Sequence, residues 1–536
     1  MKKVSVILIV FALLGAGCSK TWLSSLQDNP NAPTTGVATP SLVLPGTITG
    51  IIDVINGPAP VQGNAGGVGS YEYPAVWMGY WNYAPGYSFN PNPQNYICNS
   101  SSPQVWDQYY TILSNLNFIN QQSTGVVKYA NYHAISNILE AVCFKNLVDI
   151  YNNIPYSQAL KAQGNFYPKY DNGSDIYDSL VAKLDAAMAE IQANTGNAAV
   201  NTPTTDDPLF AGNMANWILY ANTVKLSMLV QQSAVSAKAA YLSAEASKTA
   251  SLGFLTSDAL VNPGYTSSIP TDSWANFGVS PSGALNNYFT YVKGNQGSID
   301  VYKATNDQRL GYIYSVADGA PTDASYHTPT LPIVKANYQA DYTGTQQQVT
   351  GGVSGIGPGI VTSPGASAPM MTAAESYFWQ AEATIYGWLP GGNTAAQTLY
   401  QNGITASYVY LGVGGDPATA ATLAATYYGQ SGVGYVAFPV GASTDSLDHT
   451  IIVQRWLALN SINNYVAYND WRRTFNAATN SGIPNVPLSV SPSNTAAHMP
   501  FRFLYPIEEA NNNNAAWTAA GGPNINVYTD KIFWMP

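Results

Sequence analysis

The sequence has 536 residues, of which 9% are charged and 12% are aromatic, and its formal net charge is −10. An average soluble domain has about 25% charged residues; the low value here, without a long basic run, argues against binding to nucleic acid. The many aromatic residues equally exclude an intrinsically disordered chain.

The first eighteen residues have the pattern of an export signal. Two lysines precede an apolar run from Val4 to Leu14, and small residues then lead to Cys18. The run is shorter than the roughly 20 residues that span a bilayer as a helix, and its flanks are typical of a secretory signal. Because a cysteine after small residues resembles a bacterial lipobox, we expect residues 1–17 to be a lipoprotein signal peptide, Cys18 to be lipidated, and 18–28 to be a tether. The alternative is an ordinary signal followed by a chance cysteine.

Helical spacing of apolar residues predicts most of the regular structure. In residues 104–122, Val105, Tyr109, Ile112 and Leu116 recur every three or four positions, which is the period of an amphipathic helix. Further helices are predicted at about 131–148, 174–193 (with Ser174 as N-cap), 213–231, 370–388, 394–410 and 450–468. The Pro- and Asn-rich residues 19–45 and the Gly-rich residues 343–369 are predicted to be irregular.

The predicted helices fall into neighbouring pairs with short connections, which is the pattern of helical hairpins. No change of composition marks a domain boundary, so residues 29–536 are predicted to form one large, mainly α-helical domain with long irregular loops. Strict repetition is absent, and a repeat solenoid is therefore only suggested.

Residues 71–89 are unusually aromatic, with eight aromatic side chains in nineteen positions. Prolines and glycines within the segment are predicted to keep it on a loop. Because aromatic faces stack on sugar rings and an amide can bond to hydroxyl groups, this composition favours a neutral, polar ligand. The candidate ligand-binding residues are Trp77, Tyr80, Trp81, Asn82 and Tyr83. The alternative is that the rings pack the loop onto the helices, since tryptophan and tyrosine serve cores equally well.

The sequence contains no convincing catalytic or metal-binding motif. Glycoside hydrolysis needs two carboxylates across a cleft, and the pairs considered are Glu375 with Glu382 and Glu508 with Glu509. Solvated or cap-pairing carboxylates explain both pairs better, so no catalytic residue is assigned. Four histidines and three cysteines give no basis for a metal ion or another cofactor. Cys98 and Cys143 are expected to remain separate thiols; outside the cytoplasm they could pair, but nothing in their spacing requires it.

Ten short motifs occur in the order in which a known family has them. They are Asn29–Thr34, Val148–Ala159, Pro168–Asp171 with Asp175–Tyr177, Trp217–Leu226, Asn306–Leu310, Ala374–Ala383, Tyr400–Ser407, Gln454–Asn460, Asn469–Arg473 and Arg502–Pro506. Each motif is weak alone. The ordered set, from about Asp28 to Trp517, resembles the SusD/RagB-like outer-membrane nutrient-binding lipoproteins, in their second, SusD-like branch.

The resemblance implies a SusD-like fold of tetratricopeptide-like helical hairpins with a ligand surface built from loops. It also implies a non-catalytic lipoprotein at the surface of the outer membrane. Such a protein captures a nutrient, most often a glycan, and delivers it to a SusC-like TonB-dependent transporter. The alternatives are capture of a peptide or another nutrient and, less in keeping with the motifs, a lipid-anchored glycoside hydrolase.

The resemblance also implies roles for individual residues. A second aromatic group, Trp274, Tyr288 and Tyr291, would lie near the first one, so Trp274 and Tyr291 join the candidate ligand-binding residues. Glu375 and Glu382 would be structural partners of Arg455 or Arg472, because charged residues are scarce in this chain.

Overall fold

The computed structural model describes residues 38–55, 72–83, 92–100, 105–161, 164–266, 292–317, 354–360, 362–489, 491 and 494–536. The predicted signal peptide and Cys18 lie outside these residues, as do residues 343–353 and 361 of the segment that was predicted to be irregular and the two aromatic residues Trp274 and Tyr291.

Helices dominate the described residues, and short strand pairs join them. In chain order the helices are α1 (Pro40–Ile55), α2 (Glu72–Trp77), α3 (Val105–Ser123), α4 (Ala130–Tyr151), α5 (Gly173–Ala193), α6 (Met214–Gln231), α7 (Ala239–Thr249), α8 (Gln296–Ala304), α9 (Leu310–Ile313), α10 (Ala373–Ile385), α11 (Gly392–Tyr410), α12 (Pro417–Tyr428), α13 (Thr444–Leu459), α14 (Asn464–Arg473), α15 (Ile507–Asn512) and α16 (Asn514–Ala519). The strands are β1 (Trp81–Tyr83), β2 (Ile154–Pro155), β3 (Tyr170–Asp171), β4 (Ala259–Val261), β5 (Val292–Gly294), β6 (Tyr314–Ala317), β7 (Ser354–Ile356) and β8 (Ala368–Met371).

Each long helix packs on the next one along the chain. The order of contacts runs from α3 to α4, α5 and α6, and then from α6 to α10, α11 and α12. Helix α13 returns to pack on α10, and α14 packs on α13. This arrangement confirms the predicted mainly α-helical fold of stacked hairpins. The described strands form antiparallel pairs, β1 with β5, β2 with β3, β4 with β8 and β6 with β7.

The predicted helices at 104–122, 131–148, 174–193, 213–231 and 394–410 agree with α3, α4, α5, α6 and α11 within a few residues. The N-cap of α5 differs from the prediction. It is Asn172, whose Oδ1 accepts a hydrogen bond from the backbone N–H of Ser174 at 2.9 Å. A side-chain oxygen at this position satisfies an N–H that has no partner inside the helix.

The helix predicted at 450–468 is two helices in the structure. Asn460 leaves the helical conformation with a ψ of 118°, and Ser461 has a φ of +64°. The N–H of Ser461 donates to the side chain of Asn464 at 3.2 Å. Asparagine and serine side chains compete with helical hydrogen bonds in this way, so α13 ends at Leu459 and α14 starts in a new direction.

Helices α1 and α2 were not predicted. Helix α1 contains Pro45 and begins in the Pro-rich segment 19–45. Helix α2 lies within the aromatic segment that was predicted to be a loop. Its Pro74 is in the first turn, where a backbone N–H has no helical partner to lose. Gly79, with a φ of +67°, follows α2 and supplies a left-handed conformation that glycine adopts without strain.

Cys98 and Cys143 are both buried and unpaired, which confirms that they are separate thiols. Within the described ranges, no helix combines the length and the apolar character needed to cross a bilayer.

Candidate functional site

Four of the predicted ligand-binding side chains lie in the core. Trp77, Tyr80, Trp81 and Asn82 are each at most 1% exposed. Stacking on a sugar needs a free ring face, and these rings have none. The prediction that they bind ligand from a loop is therefore wrong for these four residues, and the packing alternative is confirmed. The roles of Tyr83, Trp274 and Tyr291 stay predictions.

Hydrogen bonds fix the polar atoms of these buried side chains to distant parts of the chain. The indole N–H of Trp77 donates to the carbonyl of Pro93 at 3.0 Å, that of Trp81 to the hydroxyl of Ser461 at 2.7 Å, and the hydroxyl of Tyr80 to the carbonyl of Trp456 at 2.6 Å. The aromatic segment thus joins α13 and the break that follows it to the rest of the core.

Strands β1 and β5 pair part of the first aromatic segment with the described residues that directly follow the segment of the second aromatic group. Tyr83 pairs with Val292, which directly follows Tyr291 in the sequence. Strand β5 also packs against β7, which pairs with β6, where Ala317 lies opposite Ser354. Tyr83, Val292, Ala317 and Ser354, each of which is next to a segment outside the described residues, therefore lie in this one group of strands.

A small internal cavity of about 60 Å³ lies between α4, α6, α10 and α14. Its polar lining includes Lys145, Asp149, Gln231, Glu375 and Asn463. Burial raises the pKa of Glu375 above its ordinary value. Small-molecule sites usually have volumes of about 300–1,000 Å³, so this cavity is too small for a sugar.

A larger, open cavity of about 450 Å³, which we call the Trp388 cavity, lies where the ends of four helices meet. It is lined by residues near the C-terminal ends of α6, α10 and α14 and near the start of α13. These residues are Ser233, Ala234, Ile385, Tyr386, Trp388, Thr444, Asp445, Asp448, Arg473 and Thr474. Its volume and its combination of aromatic and polar groups fit a small-molecule site. No local pattern in the sequence indicates this cavity, because its residues come from four separate segments.

A closed cluster of four buried charges lies beside the Trp388 cavity. Arg455 contacts Glu382 at 2.8 Å and Asp470 at 2.7 Å, and Arg473 contacts the same two carboxylates. The guanidinium of Arg455 also lies over the ring of Trp379, 3.7 Å from its centroid. Buried charges are tolerated when they are paired and hydrogen-bonded in this way.

The cluster confirms one of the predicted pairings and corrects two others. Glu382 is a partner of Arg455, as predicted. Glu375 instead accepts hydrogen bonds from Trp379 and Asn463 at 3.4 and 3.3 Å. Arg472 donates to the backbone carbonyls of Asp149 and Phe501, at 2.6 and 2.9 Å. On α14 it is Arg473, the residue after Arg472, that pairs with Glu382 of α10.

Two neighbouring carboxyl groups beside the cluster, those of Glu382 and Asp448, have pKa values that are shifted in opposite directions. Although burial alone would raise the pKa of Glu382, Arg473 and Arg455 hold it below its ordinary value. Burial and the adjacent negative charge of Glu382 raise the pKa of Asp448 well above its ordinary value. These opposite shifts favour the ionised form of Glu382 and the protonated form of Asp448.

This distribution predicts a pH-dependent stability. An aspartate in the unfolded chain loses its proton near pH 4, whereas Asp448 in the folded protein keeps its proton to a higher pH. The folded state therefore binds more protons in this range. As a result, the free energy of unfolding falls as the pH rises from about 4 toward the pKa of folded Asp448. Asp448→Asn keeps a donor at this position and cannot ionise. We expect its stability relative to the wild type to increase between pH 4 and pH 8 in urea unfolding experiments. Parallel pH profiles of the two proteins would contradict the assignment of the proton to Asp448.

All five arginines of the sequence are buried, which is unusual for this residue type. Arg309, Arg455, Arg472, Arg473 and Arg502 are at most 5% exposed. Arg309, for example, forms an ion pair with Asp307 at 2.6 Å and donates to Gln454 at 2.8 Å. The arginines of this chain therefore hold helices together inside the protein.

The second predicted carboxylate pair has a structural explanation. Glu509 accepts a hydrogen bond from the hydroxyl of Tyr170 at 2.6 Å, and Glu508 is its neighbour in the first turn of α15. In the part of the chain that the structure describes, no group of three or more histidine, cysteine or acidic side chains converges on a possible metal position.

Comparison with solved structures identifies the same fold in several proteins. A SusD homologue from Bacteroides fragilis is 19% identical, with 93% of this chain and 99% of that chain covered and a TM-score of 0.69. A chitin-binding SusD homologue from Flavobacterium johnsoniae is 21% identical, with coverages of 92% and 98% and a TM-score of 0.70. A SusD-like protein from Bacteroides thetaiotaomicron is 19% identical, with coverages of 92% and 98% and a TM-score of 0.68.

At these identities the structural similarity establishes the fold alone. A comparison with curated protein sequences finds no significant match. The SusD-like family, described as starch-binding and associating with the outer membrane, matches residues 62–506, which is most of the chain. The chain therefore belongs to this SusD-like family of outer-membrane-associated proteins.

Proposed function

We propose that the protein is a lipid-anchored outer-membrane protein that captures a neutral oligosaccharide and delivers it to a SusC-like TonB-dependent transporter. The family match over residues 62–506 carries this proposal, because the family is described as starch-binding and outer-membrane-associated. The chitin-binding protein that shares the fold supports a glycan as the ligand. The low charge of the chain also favours a neutral ligand.

We place the ligand surface at the group of strands that contains β1 and β5. Tyr83 pairs with Val292 there, so Tyr291 is one residue from this strand pair in the sequence. Trp274 lies in the segment that leads into β5. A site of this kind fits the common arrangement in which a rigid scaffold carries binding residues on its connecting segments.

The surface is tested by removing its aromatic rings. Trp274→Ala and Tyr291→Ala should each weaken the binding of a neutral oligosaccharide about two- to tenfold, because stacking adds about 0.5–1.5 kcal/mol beyond area burial. Isothermal titration calorimetry with chitotriose and maltotriose measures this change. Phe166→Ala, at a ring that is 67% exposed elsewhere on the protein, is the control. Unchanged affinity in both variants would move the ligand surface elsewhere, and binding of peptides instead of sugars would change the ligand class.

The anchor and the partner are tested together in cells. Cys18→Ala should move the protein out of the membrane fraction and abolish labelling by a fatty-acid probe, because a processed lipoprotein is held by its acyl chains. A gentle detergent pull-down of the tagged wild-type protein should recover a large outer-membrane protein in roughly equal amount. Membrane retention of the unlabelled variant would contradict lipid anchoring, and recovery of the wild type alone would contradict the transporter complex.

A further inference from the structure

Tyr435 combines an exposed ring with a backbone conformation that large residues rarely adopt. Its φ is +63°, and the residue is 46% exposed. The other exposed non-glycine residues with positive φ in the described part of the chain are Ala211, Asn306 and Asn480, and none of them has a large apolar side chain. This conformation has a steric cost for a residue with a Cβ atom, so the fold must hold Tyr435 in it.

Buried hydrogen bonds fix the backbone at this position. The carbonyl oxygen of Tyr435 accepts from the hydroxyl of Tyr400 at 2.9 Å and from Nε2 of Gln454 at 2.8 Å. Tyr400 and Gln454 are fully buried, and Gln454 is itself held by a hydrogen bond from Arg309 at 2.8 Å. Backbone strain that a fold maintains in this way is concentrated at functional sites.

The ring of Tyr435 has one covered face and one open face. It stacks on the imidazole of His449, with the ring centroids 4.7 Å apart and an interplanar angle of 7°. Because His449 covers one face, the exposed surface of the side chain is on the opposite face and the ring edge. Gly432 and Gly434 precede the ring, and a Cβ atom added to either would meet nothing within 4 Å beyond its chain neighbours. The loop therefore leaves open space beside a supported aromatic surface.

The groups around the ring suit a ligand that carries hydroxyl groups. Burial lowers the pKa of His449, which favours the uncharged imidazole at neutral pH. Asp445 is exposed one helical turn before His449 on α13, so the two Cβ atoms are about 5–6 Å apart. A carboxylate accepts strong hydrogen bonds from hydroxyl groups and repels an anion. A pyranose ring has the matching surfaces, since its C–H face is apolar and its edge carries hydroxyl groups.

We propose that the open face of Tyr435 binds one ring of a neutral sugar, with the carboxylate of Asp445 accepting from its hydroxyl groups. This site rests on the proposed carbohydrate function and adds a second point of contact to it. It is formed by the loop between α12 and α13 and by the first two turns of α13, which are different elements from those of the ligand surface at β1 and β5.

The test follows His449 by NMR of protein labelled with carbon-13 in its histidine side chains. The chain has four histidines, and His449→Gln identifies the signal of His449 among them. Methyl β-D-glucopyranoside and N-acetyl-D-glucosamine are the neutral probes, and glucuronate and glucosamine are the charged ones. We expect the neutral sugars to shift the His449 signal in a saturable way and to leave those of His133 and His498 in place. No saturable shift with either neutral sugar, or tighter binding of a charged one, would overturn the proposal.

Variants of Tyr435 separate sugar binding from packing. Tyr435→Gly removes the ring, and glycine adopts the left-handed conformation without strain. It should therefore weaken binding of the neutral monosaccharide about two- to tenfold without lowering the melting temperature. Tyr435→Phe, which keeps the aromatic face, should bind more tightly than the glycine variant. A lowered melting temperature with intact affinity in Tyr435→Gly would assign the ring to packing and overturn the proposal.

A matched control and the first ligand surface complete the comparison. Tyr167→Ala, at a ring that is 69% exposed elsewhere, should leave the affinity for the monosaccharide unchanged. An equal loss in Tyr167→Ala and Tyr435→Gly would show that the sugar contacts exposed rings without selection and would overturn the proposal. If Trp274→Ala and Tyr291→Ala leave oligosaccharide binding intact, the first surface fails, while the His449 signal still decides the site at Tyr435.

Discussion

Replacing Arg455 with methionine should lower the free energy of unfolding by about 3–5 kcal/mol. The substitution keeps much of the side-chain volume but leaves Glu382 and Asp470 with one guanidinium partner fewer in a fully buried site. Breaking a buried ion pair from one side has an effect of this size, because a charge that was paired becomes uncompensated. The contact with the face of Trp379 is also lost. Urea unfolding followed by circular dichroism measures the change.

An ion pair whose lysine is exposed provides the control for this prediction. Lys248 pairs with Glu245 on the surface of α7, and its side chain is 63% exposed. Exposed pairs contribute little, because water and salt screen them, so Lys248→Met should leave the unfolding curve unchanged. An equally small effect of Arg455→Met would mean that the buried cluster relaxes or takes up water, and that it does not hold α10, α13 and α14 together.

Trp77→Ala and Trp81→Ala should each lower the free energy of unfolding by about 3–5 kcal/mol, the usual range for a fully buried tryptophan. Trp77 packs against Tyr468 and Phe503, with ring centroids 5.0 and 5.4 Å away. Removal of either indole leaves a cavity and also an acceptor without its donor, at Pro93 or Ser461. Thermal unfolding and calorimetric binding should be measured on the same samples.

The two measurements distinguish packing from ligand binding. We expect a large fall in melting temperature, with unchanged oligosaccharide affinity for the protein that remains folded. Phe166→Ala, whose ring is largely exposed, should change neither quantity. A loss of affinity at constant melting temperature would show that these rings contact the ligand. The conformation that binds ligand would then differ from the one described, in which the rings are buried.

The helices were predicted well from the sequence where apolar residues recur every three or four positions and where capping or turn residues mark the ends of the helix. Helix α3 follows the spacing of Val105, Tyr109, Ile112 and Leu116, and all four residues are buried. The pairing of Glu382 with Arg455 could also be predicted from the sequence. Charged residues are scarce in this chain, and a buried carboxylate or arginine without an opposite charge is strongly destabilising.

The candidate site could be predicted from the sequence much less well than the helices, for two physical reasons. A high content of aromatic residues shows that a segment has a large apolar surface. It does not show whether that surface packs in the core or remains free to bind a ligand. Trp77 and Trp81 were therefore predicted to bind a ligand, whereas in the structure they lie in the core. The Trp388 cavity depends on distant pairs such as Ser233 with Asp448, and no local pattern in a single sequence reveals that they meet.

The burial of every arginine has a consequence for the resistance of the folded protein to proteases. Trypsin-like proteases cleave after arginine or lysine and need the target side chain and its flanking backbone to enter their own active site as an extended strand. Four of the five arginines lie on helices or at their ends, and all five are buried. Digestion of the native protein can therefore begin only at lysines, and every arginyl bond becomes a cleavage site only after the fold has opened. In the folded protein the arginyl bonds are thus protected from trypsin-like proteases, and exposed lysines such as Lys248 remain the points of attack.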